Sequence, residues 1–410
     1  MTGSTCSVSP LTHSQLVLAL ALGCAAPPVL TPTADAPVRP IHPTPAATTS
    51  ERAEPQLQLV DDYNPPRPAP TEVIEAPGAR WDAALGGLSG LHYDRASATL
   101  YAISDLPHRF DPRLYTFSVQ LTDTALHVEP KAVFSIHARD PAEHDTLKWL
   151  DAESITSDGH GAFFVGTENG TDRPDPPPRI RRMDAEGLLT DELALPEAFL
   201  AAPAGSAERG PRSNRAFEGL ALSPSGRWLT AGLESPLYQD GDDATFEHGA
   251  KVRLLRWDTT TFAEPFQYFY PLEPMDRPAS GTPAGGNNGV SELVSLDDRR
   301  LWVLERGYVP LQEGAGPTTV RIFEVTLPDV PAPPQQQPEL LSKRLVLDLG
   351  DITSALEPGA QTLDNLEGMT LGPELPSGDQ SLLLVSDDNF RADQRTVFLA
   401  FRVRRAPTAR

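Results

Sequence analysis

One phrase occurs five times in this 410-residue chain, and no other feature limits its fold so tightly. The copies are GLSGLHYDRASATLYAISD (87–105), DAESITSDGHGAFFVGTEN (151–169), FEGLALSPSGRWLTAGLE (217–234), GVSELVSLDDRRLWVLERG (289–307) and NLEGMTLGPELPSGDQSLLLVSDDN (365–389). Each has an apolar run, a turn rich in Asp, Ser or Gly, a second apolar run and then Asp or Glu, which is the pattern of a β-hairpin. A third run follows each copy, often opened by arginine: RLYTFSV, RIRRMDA, VRLLRWD, VRIFEVT and RTVFLAF. Four copies add a fourth stretch: KAVFSI, LLTDELAL, FQYFYPL and KRLVLDL. Four antiparallel strands per unit make the blade of a β-propeller, and no long amphipathic helical pattern competes. The fold class is therefore all-β, a propeller of four-stranded blades, five by repeat count.

The fifth unit stops at the C-terminus without a fourth strand. TEVIEAP (71–77) is strand-like and is expected to supply it, closing the ring without a disulfide. A sixth, degenerate blade follows if LQLVDDY (57–63) pairs as well.

Upstream of the repeats, the apolar run from Leu16 to Ala26 is too short to span a bilayer and suits a signal-peptide core. It contains Ala21-Leu22-Gly23-Cys24, which resembles a bacterial lipoprotein signal and implies that Cys24 is lipidated. Residues 1–24 are read as that signal and 25–70 as a disordered tether, since 12 prolines fall between Pro27 and Pro70. The folded domain is expected at 71–410. An exported protein follows: an outer-membrane or cell-surface lipoprotein, or a periplasmic or secreted one.

Both cysteines, Cys6 and Cys24, precede the repeats, so the domain has no disulfide, thiol nucleophile or cysteine-ligated zinc. Its histidines show no paired metal spacing. The net charge of −22 opposes nucleic acid and any contact with an anionic membrane other than through the anchor. A monomer is expected.

In a propeller the first strand of each blade lines the channel. The acids opening the repeat (Glu153, Glu218, Glu292, Glu367) and those closing it (Asp105, Glu168, Glu234, Glu305, Asp387) should then gather at one channel mouth. Arg113, Arg179, Arg253, Arg321 and Arg395, which open the third strands, should share that face and clamp neighbouring carboxylates. Acids in excess of arginines favour a hard cation, and Ca²⁺ takes six to eight oxygen ligands. Two loops add acids: YQDGDDATFEHG (238–249), loosely like a calcium loop, and SDDNFRADQR (386–395), where Asp387, Asp388 and Asn389 precede Arg391. Trp81, Trp149, Trp228, Trp257 and Trp302 are expected between blades.

The phrases FEGLAL, VSELVSL…LWVLERGY and DNLEGMTL…LLLVSDDNF resemble the bacterial family known as esterase-like activity of phytase, or phytase-like domain, over roughly residues 70–405. The resemblance implies a secreted repeat domain with phosphoesterase acids at Glu218, Glu292, Glu305, Glu367, Asp387, Asp388 and Asn389. The first copy departs from the pattern with Ser89 in place of Glu. Neither an Arg-His-Gly motif nor a Gly-x-Ser-x-Gly elbow is present, so this is not a serine hydrolase.

The expected function is a metal-dependent phosphoesterase acting on a small phosphate ester or other anionic ligand. Glu153, Glu367, Asp387 and Asp388 are read as metal ligands, Ca²⁺ being the expected ion. Glu218 and Glu292 are read as catalytic, with Arg306 and Arg391 neutralising charge on oxygen. A non-catalytic propeller binding a ligand or partner protein on the same face is the alternative, and a metal-dependent lactonase or sugar-binding propeller the third.

Overall fold

The computed structural model describes residues 56–63, 85–104, 112–140, 150–168, 177–200, 208–329, 331–334, 336–356, 363–391 and 393–404. The leader, Cys6, Cys24, the strand-like 71–77, Asp105, Trp81 and Trp149 lie outside these residues.

The domain is a five-bladed β-propeller. Blade one contains Leu88–Asp94, Thr99–Ser104, Arg113–Leu121 and Leu126–Ser135. Blade two contains Asp151–Ser157, Phe163–Glu168, Ile180–Met183 and Leu188–Glu192. Blade three runs Phe217–Leu222, Trp228–Leu233, Lys251–Asp258 and Phe266–Pro271. Blade four runs Asn287–Ser295, Arg300–Tyr308, Thr318–Thr326 and Lys343–Asp348. Blade five takes Asn365–Glu374, Gln380–Asp387 and Phe398–Arg404 from the C-terminus and its outer strand, Gln56–Tyr63, from the N-terminus. His137–Ala138 and Glu339–Leu340 add short parallel edges to blades two and three.

The ring is therefore closed by 56–63, which pairs antiparallel with Phe398–Arg404 from Gln56↔Arg404 to Tyr63↔Phe398. This corrects two expectations. LQLVDDY completes the fifth blade rather than starting a sixth, and the stretch assigned to the tether, 25–70, contains a strand of the domain. Its apolar residues divide between two cores. Leu57 and Leu59 pack toward blade four, and Val60 and Tyr63 toward blade one.

Five apolar clusters fill the five gaps between blades. Trp257 and Trp302 are buried there. Trp228 instead lies beneath the guanidinium groups of Arg256 and Arg227, at 4.1 and 4.8 Å. His92 is enclosed between blades one and two against Phe163, and burial lowers its pKa to about 4, so it is neutral.

Each inner strand carries a β-bulge at the same height, which re-aims one side chain into the channel mouth. The pairing register jumps between Leu88 and Leu91, Ala152 and Ser154, Phe217 and Gly219, Val290 and Glu292, and Leu366 and Gly368. The glycine after the bulge is a packing requirement. A Cβ on Gly368 would stand 2.5 Å from the Ser89 carbonyl oxygen, and one on Gly219 2.7 Å from Leu293 Cγ.

Candidate functional site

The bulged residues form one ring: Ser89, Glu153, Glu218, Ser291 and Glu367. A second ring above it comes from the ends of the second strands. Asp151 pairs with Glu168, Asn365 with Asp387 and Gly289 with Arg306, while Glu234 follows Leu233, the partner of Phe217. Blade four is thus offset by one residue from the reading of its sequence. Its ring positions are Ser291 and Arg306, and neither Glu292 nor Glu305 belongs to the rings.

Glu292 instead takes the place that glycine holds in blades one, three and five. It lies at the channel floor with no exposure. Its Oε1 accepts from the amides of Leu220 (3.1 Å) and Leu293 (2.9 Å), the Leu91 amide also acts on the carboxyl, and its Oε2 is buried without a hydrogen-bond partner among the described residues. Burial raises its pKa well above the carboxylate range despite those donors. This side chain ties blade four to blades three and one from outside the two rings. Glu292→Ala should cost roughly 2–5 kcal/mol, because three buried amides lose their acceptor, whereas Glu292→Gln should stay within about 1 kcal/mol. Urea unfolding of the two variants checks this, and an equally large loss in Glu292→Gln would contradict it.

Glu305 also leaves the mouth. It accepts from Tyr270 Oη at 2.6 Å and Asn288 Nδ2 at 3.1 Å, and pairs with Lys343. Asp388 is a loop clasp: its Oδ1 accepts from the amides of Gly87 and Phe390, both at 3.0 Å. Arg391 is exposed and forks onto Asp393 at 3.0 and 2.9 Å. The geometry therefore sets Glu292, Asp388 and Arg391 apart from the two rings. Asp387 remains, held by the Asn389 amide at 2.7 Å and by Asn365 Nδ2 at 3.3 Å.

The arginines opening the third strands serve other contacts. Arg253 forks onto Asp240 at 2.5 and 2.7 Å, Arg321 joins Asp348 and Asp276 at 2.7 Å each, Arg179 pairs with Glu192, and Arg113 donates to Tyr115 Oη at 3.0 Å. In the loop 238–249, Asp240 is taken by Arg253 and Asp243 by Arg215 (2.8 Å) and Arg212 (3.2 Å). That turn is built on arginine.

What remains at the mouth is a compact acidic group. One oxygen from each of Asp151, Glu153 and Glu168 lies within 4.8 Å of the others, and the same holds for Glu168, Glu218 and Glu234. The Ser89 hydroxyl stands 2.6 Å from Glu153 Oε2 and 3.3 Å from Glu367 Oε2, so the serine that breaks the glutamate pattern bridges its neighbours. Arg306 sits on the opposite arc. It reaches Glu367 at 3.4 Å, Glu234 at 3.8 Å and Ser291 Oγ at 3.3 Å, and only 12% of its side chain is exposed. Burial works to lower its pKa, but Glu367, Glu234, Glu218 and Asp387 outweigh it, and the arginine stays charged.

The carboxyl groups respond in the opposite sense. Burial, then Glu234 and Asp151, hold Glu168 well above the usual range; burial, then Glu168 and Glu234, do the same for Glu218. Burial pushes Glu234 up to about 7 against the pull of Arg306 and Arg215. Glu367 and Asp387 are raised chiefly by burial too. Glu168 Oε1 accepts from the Ala216 amide, but Glu168 Oε2 and Glu218 Oε2 are buried with no hydrogen-bond partner among the described residues. Hard, clustered and withheld from water, these orphaned oxygens fit a metal cation, which would displace the protons of their carboxyls. Of the residues expected from sequence, Glu153, Glu218, Glu367, Asp387 and Arg306 come together here. Asp151, Glu168 and Glu234 complete the set, and the signal for the last two was their place at the end of the repeat.

Residues 83–390 match the model of the phytase-like family, described as esterase-like activity of phytase. No curated protein matches the sequence. Among solved structures, the chain is similar to a periplasmic gluconolactonase of Pseudomonas aeruginosa at 14% identity, over 80% of this chain and 89% of that one, with a TM-score of 0.31. It is similar to a β-1,3-galactosidase at 9% identity, 82% and 95% coverage and a TM-score of 0.40. A glycosyl hydrolase from Bacteroides ovatus aligns at 12% identity, 78% and 85% coverage and a TM-score of 0.39. Likenesses this remote carry no argument about chemistry.

Proposed function

The chain belongs to the phytase-like family, and from that membership together with the chemistry of the mouth we propose that it is a cation-dependent phosphoric ester hydrolase. The observation that carries this reading is the pair of buried oxygens, Glu168 Oε2 and Glu218 Oε2, that no group of the described chain satisfies. Asp151, Glu153, Glu168, Glu218 and Glu234 would hold the cation. An all-oxygen donor set favours Ca²⁺. Bound there, the ion supplies positive charge against the non-bridging oxygens of a phosphate ester.

The chain's own residues supply the rest. Arg306 offers fixed positive charge from the opposite arc of the mouth, where Ser291 and two carboxylates orient its guanidinium. Burial raises the Glu234 carboxyl to about 7 in the cation-free mouth, so near neutral pH it would give up its proton on binding the ion. The remaining acids repel extended polyanions, which favours a small ester over nucleic acid. The N-terminal signal reading supports export, with Cys24 as the proposed lipid anchor, and a monomer is proposed. Among the described residues, no helix is long and apolar enough to cross a membrane.

The test is release of inorganic phosphate from a panel of small phosphomonoesters by the full chain, first stripped with chelator and then given Ca²⁺. Release should require the ion and fall by roughly 10²-fold or more in Glu218→Gln and in Arg306→Met. Hydrolysis of lactones or carboxylic esters with every phosphate ester inert would transfer the site to the lactonase reading. Binding of the esters without turnover would make the protein a ligand-binding propeller.

A further inference from the structure

The acids of the mouth are not spread evenly around it. Arg306 comes from blade four and acts on Glu234 of blade three and Glu367 of blade five, its two neighbours in the ring. Blade two is adjacent to neither side of blade four, and it contributes Asp151, Glu153 and Glu168. The charges acting most strongly on Glu168 are all negative: Glu234, Asp151 and Glu367. Glu168 is also the residue common to both oxygen triads, one with Asp151 and Glu153, the other with Glu218 and Glu234. Its Oε1 is engaged by the Ala216 amide, which fixes the carboxylate, and its Oε2 is buried with no hydrogen-bond partner among the described residues. In the second triad Glu218 Oε2 is likewise buried and unpartnered, with Glu218 only 5% exposed and Glu168 2%.

We infer that the mouth holds two divalent cations side by side, bridged by Glu168, one completed by Asp151 and Glu153 and the other by Glu218 and Glu234. This rests on the reading of the mouth as a cation centre and adds its stoichiometry and its bridging residue. The two triads share only Glu168, and the charge of their ionised form agrees with two ions rather than one. Five carboxylates belong to the two triads. One divalent ion leaves three negative charges crowded in a site nearly closed to water. Two ions leave one, and Arg306 lies 3.8 Å from Glu234 to meet it. Five carboxylates shared by two oxygen-seeking ions do not fill their coordination, so positions remain for water and for substrate oxygens. A pair of adjacent cations is the arrangement that grips both the attacking and the leaving oxygen in phosphoryl transfer.

The experiment is calorimetric titration of the chelator-stripped full chain with Ca²⁺ at neutral pH, read as ions bound per chain without reference to activity. Two equivalents are expected for the wild type. Glu153→Gln and Glu218→Gln should each retain one equivalent. Glu168→Gln should weaken both, by about tenfold or more. The unfolding midpoint of each variant without metal, at or above that of the wild type, shows that the loss is one of ligands and not of fold. One equivalent in the wild type, or an equivalent that keeps the wild-type affinity in Glu168→Gln, overturns the bridged pair. Two equivalents with no ester hydrolysed would leave the pair standing and remove the phosphoesterase reading. Phosphate release with a single equivalent would do the reverse.

Discussion

A chain that begins at residue 71 should fail to form a stable propeller, while one that begins at residue 52 should unfold at the same temperature as the full chain. The strand Gln56–Tyr63 is the outer strand of blade five, and its removal strips the ladder from the whole edge of Phe398–Arg404. It also withdraws Leu57 and Leu59 from one inter-blade core and Val60 and Tyr63 from the next. The Leu126 amide loses its acceptor, Asp61 Oδ2, at 2.8 Å. Four half-buried apolar side chains at about 1 kcal/mol each, with an eight-residue ladder, amount to a large part of the roughly 5–15 kcal/mol that holds a domain. The exposed edge is also a template for aggregation. Thermal unfolding of the two truncations side by side, with light scattering, checks this. Equal midpoints would mean that the ring closes in some other way.

The second large effect is a loss of stability on raising the pH of the cation-free protein. The carboxyls of Glu168, Glu218, Glu234, Glu367 and Asp387 all have folded pKa values above their unfolded ones, so the native state binds more protons than the unfolded state. Stability must then fall as pH rises from the ordinary carboxylate range through the folded values. For Glu234 that window runs from 4.5 to about 7 and is worth on the order of 3 kcal/mol. Asp158 and Asp297, whose carboxyls are held below the usual range, act in the opposite sense, with stability lost only at more acid pH. Between pH 5 and pH 8, in chelator, the urea midpoint should therefore drop steadily, and the slope should lessen in Glu234→Gln. Saturating Ca²⁺ should abolish most of it, since the ion takes the place of the protons. A midpoint that is flat or rises over this window would mean that the mouth is far wetter than its burial indicates.

The repeat made the fold legible, because a blade needs the same alternation and the same turns every time and so writes them five times. What misled was composition. The strand at 56–63 alternates correctly, Leu57, Leu59, but it is flanked by prolines, and a proline-rich surround reads as a tether whatever lies inside it. At the site the difficulty was a shift of one residue. In blade four Ser291-Glu292 stands where blades three and five have Glu-Gly, so aligning on glutamate places Glu292 in the ring. Only the strand register shows that Ser291 occupies the bulge and that Arg306, not Glu305, tops the second strand. Asp388 and Arg391 were drawn in by their nearness in sequence to Asp387. Their side chains serve the loop, Asp388 by receiving the Gly87 amide from the neighbouring blade. Glu168 and Glu234 were visible as closing acids, yet their weight came from burial and mutual approach, which no sequence pattern carries.

The central claim is that the acids at the mouth form a metal centre rather than a device for joining blades. Thermal unfolding of the chelator-stripped full chain at pH 7.5, with and without millimolar Ca²⁺, tests it most directly, alongside Glu218→Gln. The ion should raise the wild-type midpoint by roughly 5 °C when present at about 100 times its dissociation constant, and Glu218→Gln should lose much of that rise. A wild-type midpoint that does not move with Ca²⁺, or one that moves equally in Glu218→Gln, would contradict the claim.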